Sequence, residues 1–263
     1  MVPPSRGFAL RMEYDGTPFV GWQRQRNGVS VQEVLENAAQ NLAGGHPVTS
    51  IVAGRTDAGV HAAGQVVGLM IATELAPERL ASALNFHLKP HPVVVLAARP
   101  APPGWSARFS AIKRIYRYTI LNRPARPALA AGQVWHVPKP LDAAAMHEAA
   151  QSLCGRHDFS SFRASACQAT SPLRTLDRLD VARTGEEKIE ITAVARSFLH
   201  HQVRNMVGTL KLVGEGRWTV ADVARALAAR DRARAGPTAP PEGLCLIAVR
   251  YPEALDPFRS ADR

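Results

Sequence analysis

Hydrophobic and polar residues alternate near the N-terminus in the way that a half-buried β-strand requires. Every second residue over positions 8–14 is a large hydrophobic one, and the alternation ends at the turn-forming pair Asp15-Gly16. A helix is predicted next, because Ser30 and Glu33 have the spacing of a capping box. The apolar positions over residues 31–42 then recur at about 3.6 residues, which predicts one buried face.

The same two periodicities predict strands and helices along the rest of the chain. Further strands are predicted at about residues 49–53, 65–72, 93–98, 114–122, 175–181, 189–192 and 244–251, and further helices at about 77–85, 142–153, 199–213 and 219–227. Short strands joined by turns favour antiparallel pairing over a doubly wound parallel sheet. The Pro-rich segment 100–104 is the best candidate linker. We therefore expect two α+β halves of related design, residues 1–104 and residues 105–263.

Composition limits the class of protein. Of the 263 residues, 46% are hydrophobic and 21% are charged, which is typical of a globular protein and excludes wholesale disorder. Apolar runs stay short of the roughly 18 residues of a membrane helix, and the N-terminus has no signal-peptide pattern. The three cysteines are far apart and form no CxxC pair, so neither a disulfide framework nor a structural zinc site is indicated. A reduced, cytoplasmic protein without membrane attachment is predicted.

The charge balance indicates a partner. The formal net charge is +10, and only five of the 32 basic residues are lysine. Arginine presents a planar fork that binds phosphate and stacks on bases. A compositional bias explains the choice of arginine over lysine, but it does not explain the surplus of positive charge. We therefore expect a nucleic-acid partner.

Residues 53–65 form the least ordinary segment. Its three glycines lie five residues apart, at Gly54, Gly59 and Gly64, so they match neither the dinucleotide-binding GxGxxG motif nor a phosphate-binding P-loop. Taken alone, Asp57 could be the cap of a turn or the functional carboxylate of the loop.

The segment GRTDAGVHAAGQVV, residues 54–67, resembles the catalytic loop of the TruA family of tRNA pseudouridine synthases. Other stretches of the chain match the same family in the same order: EYDG (13–16), GWQRQ (21–25), ARFSA (107–111), YRY (116–118), DFSSFR (158–163), FLHHQVRNMVG (198–208) and EGL (242–244). Several independent motifs make chance similarity very improbable. The resemblance implies the pseudouridine-synthase fold, in which two ferredoxin-like halves share a central, mostly antiparallel sheet flanked by helices, and a homodimer.

The resemblance also implies roles for four residues. Asp57 would be the nucleophile and Arg204 its partner. Tyr116 would lie against the target uracil, and Arg55 would contact the RNA beside the flipped nucleotide. The implied substrate is uridine in the anticodon stem-loop of tRNA, around positions 38 to 40. The residues alone favour a solvated helix-face arginine at position 204 and a core aromatic at position 116.

The implied reaction is consistent with the residues present. Isomerisation breaks the N1 glycosidic bond of uridine and rejoins the base through C5, so it requires no redox cofactor, nucleotide or metal. It does require an anionic oxygen, which an aspartate supplies by attacking C1′, by attacking C6 or by acting first as a base. A flipped base costs a few kcal/mol to unstack, and an aromatic platform such as Tyr116 offsets about 1–3 kcal/mol of that. No cofactor is therefore expected.

Two stretches are predicted to contact RNA, and together with scattered arginines they would follow the phosphates. They are Trp105, Ser106, Ala107, Arg108 and Phe109, and then Ala166, Cys167, Gln168, Ala169 and Thr170. The pair His200-His201 is not predicted to bind metal, because adjacent helical side chains point about 100° apart and no third ligand is spaced nearby. His61 is expected to support its loop.

Two other functions compete with the isomerase. A non-catalytic RNA-binding module or tRNA-folding chaperone would use the basic surface and leave Asp57 structural. A metal-dependent nuclease is disfavoured, because the loop of Asp57 contains no second carboxylate.

Overall fold

The computed structural model describes residues 3–259, and these residues form two compact units. The first unit contains the described residues up to Arg114 together with those from Leu246 onward, and the second unit contains Ile115–Cys245. The chain thus leaves the first unit ten residues after the predicted boundary at residue 104, and its last strand returns to that unit. Sequence periodicity gave no sign of this return.

The first unit is built on a sheet in the order β4-β1-β3-β10. In it β1 is antiparallel to β3 and β4, and β2 is antiparallel to residues 67–70 of β3. The strands are β1 (Ser5–Tyr14), β2 (Thr49–Val52), β3 (His61–Ala72), β4 (Val93–Pro100) and β10 (Leu244–Arg250), the last of which joins this unit from Leu246. Opposite residues such as Leu10 and Val67 are both fully buried, so the alternating pattern of β1 marks one wall of the core.

Two helices complete the first unit, α1 (Val31–Leu42) and α2 (Pro77–Leu88). The Ser30 side chain accepts a hydrogen bond from the Glu33 backbone at 3.2 Å, a cap that stabilises a helix by about 1 kcal/mol. α2 starts with proline at its first position. The Asn85 side chain binds both backbone groups of Val95 in β4, which covers part of this edge strand.

The second unit has a sheet in the order β5-β9-β8-β7, with a short β6 parallel to β5. Its strands are β5 (Lys113–Leu121, from Ile115 in this unit), β6 (Trp135–His136), β7 (Gly155–Asp158), β8 (Leu173–Thr184) and β9 (Lys188–Ala195). Three helices accompany it: α3 (Ala143–Gln151), α4 (Gln202–Gly214) and α5 (Val220–Ala229). α3 packs on β8 and contacts the other two helices.

The predicted α+β fold with mostly antiparallel sheet is confirmed, and α1 begins and ends where its sequence signals predict. β6 and β7 were not predicted, because they are too short to show a period. Among residues 3–259, no helix has the length and hydrophobicity needed to cross a membrane.

Candidate active site

Asp57 lies in the loop between β2 and β3 (residues 53–60), which we name the catalytic loop after the family motif that it resembles. Its neighbour Thr56 is buried, as is Val60 at the end of the loop, whereas Asp57 itself is partly exposed. The Val60 backbone N–H donates to the Asp57 carbonyl at 3.1 Å and closes a tight turn. Gly59 adopts a φ of 75° within that turn. The backbone of the loop is therefore fixed by these contacts, while Asp57 stays partly exposed.

Buried polar side chains hold the catalytic loop from within the first unit. The Tyr14 hydroxyl and the Thr56 hydroxyl are 2.8 Å apart and share a hydrogen bond. Gln65 is fully buried, and its Nε2 donates to the Gly54 carbonyl at 2.8 Å and to the Tyr14 hydroxyl at 3.3 Å. A buried network of this kind is costly to disturb, because a lost partner leaves a polar group unsatisfied.

The segment after β1 packs directly against the catalytic loop. The Trp22 backbone N–H donates to the Thr56 carbonyl at 3.0 Å, and the Gly59 N–H donates to the Phe19 carbonyl at 3.3 Å. Gly21 has a φ of 107°, and a Cβ at this position would lie 2.7 Å from the Thr56 carbonyl oxygen. The motifs EYDG and GWQRQ thus surround the loop that bears Asp57.

Arg114 links the catalytic loop to the predicted RNA-contacting segment 105–109. Its guanidinium is buried and donates to the Ala53 carbonyl from Nη2 at 2.6 Å and from Nε at 3.2 Å. The same Nη2 donates to the Arg108 carbonyl at 2.7 Å, and Nη1 donates to the Ala111 carbonyl at 3.1 Å. One side chain thereby fixes the start of the loop relative to this segment.

The structure exposes some of the predicted RNA-contacting residues and buries one. Arg55 is exposed, and Phe109 is 74% exposed with the Arg108 guanidinium 5.4 Å from its ring centroid. Ala107 is completely buried, and its carbonyl accepts from the Tyr251 hydroxyl at 2.7 Å. Its side chain therefore cannot contact RNA here, and the predicted contact rests on its neighbours.

In the second unit, Tyr116 lies on β5 and is mostly buried. Its ring meets that of Phe198 edge to face, with 5.3 Å between the centroids. Tyr118, two residues on, is fully buried, and its hydroxyl donates to the Pro240 carbonyl at 2.8 Å. Burial raises the pKa of Tyr118, with Glu242 adding to the rise and Arg204 opposing it. Tyr118 is thus a core residue, and Tyr116 is held by an aromatic neighbour.

Arg204 lies in the first turn of α4. Its Nε donates to the Ala239 carbonyl at 2.8 Å, and the Ala239 N–H returns a hydrogen bond to the Arg204 carbonyl at 3.1 Å. The helix was predicted to start near Leu199 but starts at Gln202, because His201 has a left-handed φ of 62°. The predicted RNA-contacting residues 166–170 form a mostly exposed loop in this unit.

Three supporting residues were missed by the sequence analysis: Tyr14, Gln65 and Arg114. Gln65 and Arg114 are both buried within strands, at positions where a hydrophobic residue is expected. A polar residue at such a position usually has a specific partner, so this was an available signal.

A family model described as tRNA pseudouridine synthase matches residues 11–110 and 149–252. The chain belongs to the tRNA pseudouridine synthase family. As a member of this family it is an isomerase that converts uridine to pseudouridine in tRNA. The two matched segments include Asp57, Tyr14, Gln65 and Arg204, whereas Arg114 and Tyr116 lie between them.

Curated relatives cover nearly the whole chain. The tRNA pseudouridine synthase A of Acidiphilium cryptum (strain JF-5) is 70% identical over 254 residues, covering 96% of this chain and 98% of its own. That of Rhodospirillum centenum (strain ATCC 51521 / SW) is 64% identical and covers 92% of this chain and 98% of its own. A solved dye-decolorizing protein from V. cholerae overlaps 85% of this chain and 90% of its own at 12% identity, but its TM-score of 0.21 is too low to bear on the fold.

Proposed function

We propose that Asp57 supplies the anionic oxygen for this isomerisation, as its nucleophile. The observation that supports the assignment is the construction of the catalytic loop. Buried residues on both sides of Asp57 hold the loop backbone, while Asp57 itself is partly exposed. Rigid support of one accessible acid is what nucleophilic catalysis requires.

The roles that the resemblance assigns to Arg55, Tyr116 and Arg204 belong to the same proposal. Arg55 is exposed two residues before Asp57 and suits a contact with RNA phosphate. Tyr116 is held edge-on by Phe198 and suits packing against a base. Arg204 is oriented by Ala239 and suits pairing with a carboxylate. The base leaves C1′ through N1 and returns through C5, so N1 gains the proton that C5 loses.

The proposed substrate is the anticodon stem-loop of tRNA, around positions 38 to 40, and the proposed assembly is a cytoplasmic homodimer. The relatives are named for tRNA pseudouridine synthesis, which supports a tRNA substrate. The net charge of +10 supports binding to phosphates. None of the three cysteines, all of which lie among residues 3–259, forms a disulfide, which is consistent with a reducing compartment.

Chemical mapping of pseudouridine in tRNA from cells with and without this protein tests the proposal. We expect modification around positions 38 to 40 to vanish without the protein and to return when the gene is restored. Unchanged tRNA in both strains would favour a binding module or chaperone, and tRNA cleaved by the purified protein would favour a nuclease. Modification lost elsewhere in the tRNA would overturn the proposed position alone.

A further inference from the structure

His61 joins the end of the catalytic loop to the segment that follows β1. It is the first residue of β3 and is 9% exposed. Its Nδ1 lies 3.1 Å from the Gly16 backbone nitrogen and 3.1 Å from Asp15 Oδ1. A single ring nitrogen therefore faces both a backbone donor and a carboxylate.

One nitrogen cannot accept from Gly16 and donate to Asp15 at the same time, so the position of the imidazole hydrogen decides the contact. His61 Nε2 is buried and has no hydrogen-bond partner among residues 3–259. A hydrogen on Nε2 would be a buried donor without an acceptor, whereas a hydrogen on Nδ1 points at a carboxylate. With its hydrogen on Nδ1 the ring donates to Asp15 and gives up the hydrogen bond from the Gly16 N–H. In this form His61 and Asp15 are paired.

Asp15 is itself held in place. Its backbone N–H donates to the Pro92 carbonyl at 3.1 Å, and its Oδ1 accepts from the Thr17 N–H at 2.9 Å. Burial pushes the pKa of Asp15 upward, but the hydrogen bonds from Thr17 and the interaction with His61 outweigh it and lower that pKa. Asp15 is thus a carboxylate at neutral pH, anchored by Pro92 and Thr17.

Contact between Gly16 and Val60 connects this pair to Asp57. A Cβ on Gly16 would lie 2.1 Å from the Val60 carbonyl oxygen and 2.9 Å from the Val60 nitrogen, so the two backbones touch. Val60 in turn closes the tight turn by donating to the Asp57 carbonyl. A shift of Asp15 or His61 would therefore be transmitted to that turn.

We propose that His61 and Asp15 form a latch that positions the Asp57 turn for reaction. Both are positioning residues, since neither is assigned a contact with the substrate. The latch rests on the proposed role of the catalytic loop and adds a requirement, namely a hydrogen-bonding group at the Nδ1 position of residue 61.

Two amide substitutions separate this requirement from general packing. His61→Asn keeps an amide near the Nδ1 position, and His61→Gln places its amide near the Nε2 position instead. We expect His61→Gln to slow single-turnover pseudouridine formation by about 100-fold, the effect of a misplaced reacting group. The Kd for tRNA should stay unchanged. His61→Asn should recover most of the rate, and thermal unfolding should show both variants folded.

A double-mutant cycle with Asp15→Ala completes the test, because coupled residues show non-additive losses. If the latch exists, His61→Gln causes little further loss once Asp15 is gone. If His61→Gln does not fold, Asp15→Ala alone should show the same rate loss with an unchanged Kd for tRNA, and a wild-type rate for folded Asp15→Ala would overturn the latch. Equal rates for the Asn and Gln variants, or additive losses in the cycle, would overturn the latch. If Asp57→Asn protein were active, the proposed role of Asp57 as nucleophile would be refuted. The difference in rate between His61→Asn and His61→Gln could still be interpreted.

Discussion

Asp57 combines an accessible side chain with a backbone that has little freedom. The carbonyl of the preceding residue, Thr56, is bound by Trp22, and the hydroxyl of Thr56 is bound by Tyr14. Three residues later, Val60 is buried and closes the turn. The entropy of placing the carboxylate is therefore lost on folding rather than during each reaction, which is how preorganised groups accelerate chemistry.

The role proposed for Arg204 leads to a prediction at the same scale. Arg204→Ala should lower the single-turnover rate by at least about 100-fold, because a group that stabilises the reacting charge is lost. Arg204→Lys should recover only part of the rate, since lysine supplies charge without a bidentate fork. Arg225→Ala is the matched control, because Arg225 is a 69% exposed arginine on α5. If Arg204→Ala and Arg225→Ala have equal rates, Arg204 has no part in the reaction.

Elements with local signals were predictable, and those that depend on distant contacts were not. α1 follows from Ser30 and the Gly44-Gly45 pair, which act within one turn of the helix ends. β3 starts four residues before its predicted start at Gln65, because small residues there hide the alternation while pairing with β1 extends the strand. The return of residues from Leu246 to the first unit is a long-range contact with no local pattern.

The candidate site likewise contains residues that a local motif predicts and residues that only distant contacts bring to it. Asp57 and Arg55 were predicted as site residues because the catalytic loop has a distinctive motif, whereas the residues that surround them were not predicted. Gln65 and Arg114 hold the loop through partners that are 11 and 61 residues away in the chain. No period in the sequence encodes such pairings, so only the fold brings the supporting groups together.

Gly21 provides a test of how the segment after β1 supports the catalytic loop. Gly21→Ala should be destabilising for two reasons: its φ of 107° is unfavourable for alanine, and its Cβ would lie 2.7 Å from the Thr56 carbonyl. Gly44→Ala is the matched control, with a φ of 62° and open space around the Cβ, and should cost only about 1–2 kcal/mol. Denaturant unfolding and single-turnover rates measure both effects. Gly44→Ala should keep wild-type turnover. If the two variants have equal stability and equal rates, the segment after β1 does not support the catalytic loop.

At the scale of the whole molecule, the positive charge is the property that suits an RNA substrate. The surplus of +10 is spread over a chain in which exposed arginines occur in both units, including Arg55 and Arg108 in the first and Arg230 and Arg234 in the second. Phosphate contacts release counterions, so affinity depends on salt. Charge of this kind favours association with tRNA in general, while the site selects the uridine.

We expect the logarithm of tRNA affinity to fall linearly with the logarithm of salt concentration. About six phosphate contacts would weaken binding by roughly 1,000-fold between about 50 and 200 mM salt. Asp57→Asn protein is suitable for this titration, because binding is then measured without turnover. A flat salt dependence would mean that the surplus charge reflects composition rather than RNA binding.

The most direct test of the whole account is the single-turnover rate of Asp57→Asn on tRNA, measured beside wild type with tRNA affinity and thermal unfolding as controls. Asparagine keeps the size of the side chain and removes the anionic oxygen, so the account predicts a folded protein that binds tRNA with wild-type affinity and forms no detectable pseudouridine. Pseudouridine formation by folded Asp57→Asn at a rate near that of wild type would contradict it.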